Sequence, residues 1–325
     1  MKMESIECTN NYLLKCSTTP ATTTRLYEES EKVKEYLYFR ESLNIVLLIV
    51  FGLITVTGLV GNILTVTVIL QHKGIKSITD ILVLTLTVTD ILFIVFGVLG
   101  ILDVLLYMFD DLWCRLVDYV TFACSYASMY MLVLISLDRY LALVHPIRSM
   151  SFRTKRNCYI LILIIWIFIL LGNISMLFEN PFCPLKEVRE ESVIRIYYIC
   201  TFVFEFMLPL LVMCILYGHI LKSFHNANIP GVNTTISRVR LISNRRVIKI
   251  VTIAMTLLII CRLPLNMLSL YQTFTTYVKN IHMFTTLYWV FVCMFFLNCC
   301  INPILYRFHS STFRNGCREV FRCKT

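Results

Sequence analysis

The chain alternates between long apolar runs and short polar connections. Apolar residues dominate residues 43–70, 78–106, 114–144, 157–178, 194–222, 244–273 and 283–307. Each run reaches the roughly 18–20 residues that an α-helix needs to cross a bilayer. The third run shows the geometry: 25 residue steps separate Cys114 from Arg139, about 38 Å of helix at a rise of about 1.5 Å per residue. The pattern predicts an all-α membrane protein built as a seven-transmembrane helix bundle, and an odd number of spans leaves the two ends of the chain on opposite sides.

Two flanking segments differ from the bundle, here taken as residues 43–307. Residues 1–42 are polar, with a Ser/Thr/Pro tract followed by an acidic, tyrosine-containing stretch, a composition expected of a disordered tail. Residues 308–325 alternate Phe308, Phe313, Val320 and Phe321 with Arg314, Arg318 and Arg322. That suits a short amphipathic helix on the inner leaflet, where Cys317 and Cys323 are candidates for lipidation, free cytosolic thiols being the alternative.

Composition agrees with a membrane protein: 58% of residues are apolar and 15% charged. The formal charge of +10 would suit a nucleic-acid binder, but its placement argues otherwise. Segments 71–77, 148–156, 222–249 and 307–325 carry +2, +4, +6 and +4, while the segments on the other side sum to about −3. This bias predicts an extracellular N-terminus and a basic cytoplasmic face drawn to membrane lipid, with no nucleic-acid partner. Most of the 14 cysteines lie within apolar runs, where cysteine serves as a small hydrophobe. Only Cys8, Cys16, Cys114 and Cys183 are candidates for oxidation.

An ionisable side chain at the centre of a membrane helix costs at least about 2.5 kcal/mol, so each one is a candidate for function. The spans hold few: Asp90, Asp118, Glu205, Arg262 and, at the inner rim, Asp138 and Arg139. Asn62, Ser128, Asn298 and Asn302 lie at depths comparable to Asp90. Together they are either a hard-cation site of the sodium type or a polar network that holds helices together. Pro209, Pro264 and Pro303 interrupt the last three spans, each freeing a backbone carbonyl and kinking its helix, which suggests hinges.

These residues also form a set. Gly61-Asn62, Leu86 with Asp90, Asp138-Arg139-Tyr140 followed by His145-Pro146-Ile147, Trp166, Pro209 with Tyr217, Cys261 with Pro264, and Asn302-Pro303-Ile304-Leu305-Tyr306 resemble the signatures of rhodopsin-like (class A) G-protein-coupled receptors. The stretch from Trp113 to Met150 is most similar to the allatostatin-A, galanin and somatostatin group of neuropeptide receptors. Thr121 stands where amine receptors usually place an aspartate, and residues 283–306 contain no lysine, so neither a monoamine nor retinal is expected.

The resemblance implies a plasma-membrane receptor, not an enzyme, that takes an extracellular peptide and couples to a heterotrimeric G protein, of the inhibitory type by analogy. It implies G-protein coupling through Asp138, Arg139, Tyr140, Tyr217 and Tyr306, with Arg139 paired to Asp138 at rest. It implies sodium held by Asp90, Ser128, Asn298 and Asn302 as an allosteric ion, with no other cofactor. It implies a ligand pocket or switch among Asp118, Thr121, Glu205, Arg262, Asn266 and Tyr288. A Cys114–Cys183 disulfide is expected, since Cys183 is the sole cysteine between spans four and five and both residues would face an oxidising compartment.

The chain departs from the family at one prominent place: the Cys-Trp-x-Pro of the sixth span reads Cys261-Arg262-Leu263-Pro264. A guanidinium keeps its proton, so Arg262 needs an acceptor or water. Glu205, Asp90 and a ligand carboxylate are the three candidates. Two rival functions remain open, a seven-span transporter using Asp90, Glu205 and Arg262, and a peptide scavenger of receptor shape that does not signal.

Overall fold

A computed structural model describes residues 20–71, 77–106, 110–178, 191–227, 235–275 and 281–309. The helices are α1 (Pro20–Gln71), α2 (Ile78–Leu106), α3 (Asp111–Val144), the single turn α4 (Pro146–Ser149), α5 (Lys155–Gly172), α6 (Ser175–Phe178), α7 (Glu191–Thr201), α8 (Leu208–Ala227), α9 (Thr235–Phe274) and α10 (Ile281–His309). A π-helical turn, Phe202–Met207, joins α7 to α8. Among the described residues, seven stretches are long and apolar enough to cross a membrane: Tyr38–Gln71, Ile78–Leu106, Asp111–Val144, Lys155–Phe178, Arg195–Ser223, Thr252–Phe274 and Ile281–Ile304. All seven expected spans are present, and no strand occurs among the described residues.

Two compact units divide the chain, Met1–Val46 and Leu47–Thr325. The first corrects one expectation: residues 20–42 are helical, although their polarity suggested disorder. Pro20 stands at the first helical position, where its missing N–H costs nothing. The following residues space acids and lysines at helical intervals, as in the Lys34–Glu31 pair at 3.1 Å. The expected tail helix 308–325, with Cys317 and Cys323, lies outside the described residues beyond His309.

In the second unit α3 is the hub, packing against α2, α5 and α8. Its two ends have clear local causes. The Asp110 side chain accepts the Trp113 N–H at 3.0 Å, an N-cap. At the other end Pro146 cannot continue the helix, and α4 turns the chain toward α5, which the Thr154 side chain caps at 3.2 Å. Leu82, Leu86, Met131, Leu134 and Cys158 fill the space between α2, α3 and α5. Met129, Phe206, Met213 and Leu258 do so between α3, the fifth span and α9. Apolar residues of the fourth span, such as Leu163 and Phe168, stay exposed, as lipid-facing positions do.

The prolines show how a membrane helix replaces a lost backbone bond. Pro303 has no N–H for the Cys299 carbonyl, and the Asn62 side chain donates to that oxygen instead at 3.2 Å. It can reach because Gly61 lies against the Pro303 ring, where a methyl group would stand 3.2 Å from Cγ. In the fifth span the Leu208 N–H bonds back to the Val203 carbonyl. The Phe204 carbonyl would then need the N–H of residue 209, which is proline. The Tyr130 hydroxyl donates to it at 3.0 Å.

Asn62→Ala should leave the Cys299 carbonyl buried and unpaired, at about 1–3 kcal/mol. Thermal unfolding of the protein in lipid nanodiscs is expected to show a lowered midpoint. An unchanged midpoint would mean that the carbonyl finds another donor.

Candidate functional site

Arg262 lies two residues before Pro264 and is only 1% exposed, among the largest fully buried side chains. Of its three candidate partners the structure brings it Glu205: Nη1 donates to Glu205 Oε1 at 2.9 Å. The same nitrogen donates to the Ser125 hydroxyl at 3.0 Å, and Ser125 donates in turn to Glu205 Oε1 at 2.5 Å. The result is a closed triangle linking α3, the fifth span and α9. Phe295 of α10 lies beneath the guanidinium, its ring centre 4.6 Å from Cζ, a distance suited to cation–π attraction. Asn266, one turn along α9, donates its amide to the Arg262 carbonyl at 3.0 Å.

The π-helical turn contains Glu205 and comes directly before Pro209. Glu205 itself is 3% exposed, so both charges are buried. Such a pair is held by geometry: removing one partner strands the other, whereas replacing both can be nearly neutral.

Asp90 is buried in a separate network. Ser128 donates to its Oδ1 at 2.8 Å and Asn302 to its Oδ2 at 2.7 Å, so α2, α3 and α10 meet at one carboxylate. Asn298 is also buried, and its Nδ2 makes no hydrogen bond; it is not joined to Asp90 in this way. The buried Oδ1 of Asn62 likewise lacks a donor. A carboxylate, a hydroxyl and a spare amide oxygen are the donor types a hard cation takes.

Where α3 ends, the structure departs from expectation. Asp138 pairs with Arg153, at 2.8 Å to Nη2 and 2.9 Å to Nε, and accepts the Thr79 hydroxyl at 2.7 Å. The expected Arg139–Asp138 pair is therefore replaced by Arg153–Asp138. Adjacent residues on a helix do not face each other, and the turn after Pro146 carries Arg153 back against α3. Tyr140 shares a hydrogen bond with His145 Nε2 at 3.1 Å, and Tyr217 shares one with Ser136 at 3.0 Å. The side chain of Tyr306 lies outside the described residues.

The remaining pocket positions are spread along the other half of the bundle. Thr121 donates to its own helix at Val117 O, 2.7 Å away. Asp118 lies over Gly100 of α2, where a methyl group would stand 3.4 Å from Oδ1. Tyr288 meets Trp289 edge-on, with ring centres 5.5 Å apart. Cys114 is not a free thiol, while Cys183 lies outside the described residues.

Sequence reasoning missed Ser125, Phe295 and Arg153. Ser125 carried a signal, since it sits three residues before Ser128 and hence on a neighbouring face of α3. Arg153 carried none, because its reach depends on the turn around Pro146.

The match to known proteins covers this whole arrangement. The family model described as 7 transmembrane receptor (rhodopsin family) matches residues 61–306. The chain belongs to the rhodopsin family of seven-transmembrane receptors. It is a multi-pass membrane protein, and its family is one of receptors, not enzymes. It is 32% identical to the allatostatin-A receptor of Bombyx mori, over 85% of this chain and 79% of that protein. It is 29% identical to galanin receptor 2a of Danio rerio, over 86% and 79%, and 28% identical to the human neuropeptides B/W receptor type 2, over 84% and 85%.

Glu205→Gln and Arg262→Gln should each destabilise this receptor by about 3–5 kcal/mol, and the double variant by much less than the sum. Surface expression and thermal midpoint across the four proteins provide the check; strictly additive losses would show that the two charges act independently.

Proposed function

We propose that this receptor takes an extracellular peptide at the plasma membrane, N-terminus outward, and passes the signal to a heterotrimeric G protein of the inhibitory type. The observation that carries the reading is similarity along most of the chain to receptors whose names specify allatostatin-A, galanin and neuropeptides B/W. The absence of an aspartate at Thr121 and of a lysine in residues 283–306 supports a peptide over an amine or retinal. Asp118, Thr121, Asn266 and Tyr288 belong to the peptide pocket in this reading, and a Cys114–Cys183 disulfide holds the second outer loop above it.

Activation needs a two-state element that the ligand can bias. The Ser125–Glu205–Arg262 triangle is that element here. It ties the third and fifth spans to the proline-hinged sixth, so an outward swing of the sixth span must rearrange it. Arg139, Tyr140, Tyr217 and Tyr306 then meet the G protein, with Asp138 kept from Arg139 by Arg153. Cys317 and Cys323 anchor the C-terminal segment to lipid. Asp90, Ser128 and Asn302, with Asn62 and Asn298 nearby, would hold a sodium ion, which supplies a positive charge opposite the Asp90 carboxylate.

The decisive experiment is a panel of basic and amidated peptides applied to cells expressing the chain, read by G-protein dissociation and peptide uptake. Dissociation with lowered cyclic AMP is expected from at least one peptide and should be lost in Arg139→Ala. Uptake without dissociation would mark a scavenger instead. Added sodium should reduce agonist affinity in the wild type and not in Asp90→Asn, because an ion that favours the resting state weakens agonist binding by the same coupling. Equal affinities with and without sodium in both proteins would leave Asp90 a structural residue.

A further inference from the structure

Between α3 and α5 the chain turns through residues 145–154, and the hydroxyls of Ser149, Ser151 and Thr154 fall in that turn. Two of them are spent on structure. Ser149 is 2% exposed and donates to the Leu141 carbonyl at 3.1 Å, while Thr154 caps α5. Ser151 is exposed, and its bond to the Arg148 carbonyl is long at 3.3 Å. The turn itself is closed by the Phe152 and Arg153 N–H groups, which donate to the Ser149 carbonyl at 3.1 and 2.8 Å. Met150 and Phe152 on either side of Ser151 are exposed. A segment with so few buried contacts opens locally at small cost, as a modifying enzyme requires of its substrate.

Cations flank Ser151 in the sequence: Arg148 three residues before it, Arg153 two after, and Lys155 and Arg156 in the first turn of α5. An arginine three residues ahead of a serine complements the acidic substrate groove of a basophilic kinase. Positive-inside bias explains the number of these cations, but not where Arg153 is spent.

Arg153 turns back from the loop onto Asp138, with Nε and Nη2 both on Oδ1 at 2.9 and 2.8 Å. The two partners are not equally confined: the Asp138 side chain is 4% exposed and that of Arg153 28%. The arginine is the member free to leave, and Asp138 then keeps the Thr79 hydroxyl. A phosphate on Ser151 would bring about −1.5 to −2 charges and three strong acceptor oxygens, two residues from Arg153 along the same turn.

We propose that Ser151 is a phosphorylation site for a basophilic serine/threonine kinase, and that its phosphate draws Arg153 off Asp138. In the transfer Ser151 Oγ bonds the γ-phosphorus of ATP, the bond from that phosphorus to the β–γ bridging oxygen breaks, ADP leaves, and the hydroxyl proton passes to the kinase's base. The Asp138 carboxylate is left beside Arg139 without its cation. That consequence rests on the reading of this face as cytosolic and as the one that meets the G protein.

The test treats the full chain, in maltoside micelles, with ATP and the catalytic subunit of cyclic-AMP-dependent kinase, and maps phosphopeptides by mass spectrometry. Phosphate is expected at Ser151, falling at least about tenfold in Arg148→Gln. Micelles offer both faces to the kinase, so a Ser151 modified there but not in intact cells with the kinase switched on would fault the cytosolic placement and not the site. The hand-over is read by phosphorus NMR, the Ser151 signal being the one lost in Ser151→Ala. Pairing with a guanidinium favours the more charged phosphate, so the titration midpoint of that signal should rise by at least about half a pH unit in Arg153→Gln. Arg153→Ala serves if the glutamine variant fails to fold. No phosphate at Ser151, incorporation undiminished in Arg148→Gln, or a midpoint unmoved by loss of Arg153 would overturn the proposal.

Discussion

A guanidinium that cannot lose its charge, buried among the spans, must have a permanent acceptor, and much of the interior follows from meeting that demand. Glu205 supplies the acceptor, Ser125 fixes the carboxylate, and Phe295 covers one face of the guanidinium. Four spans are thereby referred to one point. An aromatic side chain at position 262 would pack by shape and could slide past its neighbours at little cost. A charged one has discrete partners, so its alternative positions are separated by broken bonds, and the bundle around it has fewer intermediate arrangements.

The same economy of polar groups governs the backbone. Three prolines remove N–H donors from helices that have no water to turn to. At two of them a side chain from another span fills the gap: Asn62 serves the carbonyl freed by Pro303, and Tyr130 the one freed at the π-helical turn before Pro209. Each substitution turns a bond within one helix into a bond between two. Kinks that would loosen an isolated helix therefore become points of attachment between spans.

The spans were legible because hydrocarbon thickness sets their length; the second was read as 78–106 and runs Ile78–Leu106. The opening segment was misread because its charges were weighed as a composition and not by their spacing, and spacing is what a helix responds to. Arg262 and Glu205 stood out through their cost in lipid, which narrowed the partners without choosing among them. Ser125 escaped notice because a serine in a membrane helix can bond its own backbone and so carries no such cost, as Ser136 does with Leu132. Arg153 lay beyond reach for another reason: a pairing made across a turn depends on backbone angles that no local pattern encodes.

The buried pair also bears on how the protein is made. The fifth span leaves the ribosome before the sixth, so Glu205 is already in place when Arg262 brings a fixed charge into the bilayer. The sixth span is therefore poorly settled until it docks against the fifth and Arg262 meets Glu205. A chain in which these neighbours fail to dock retains an unpaired cation in its membrane segment, so that assembly of the two spans and burial of the charge are a single event.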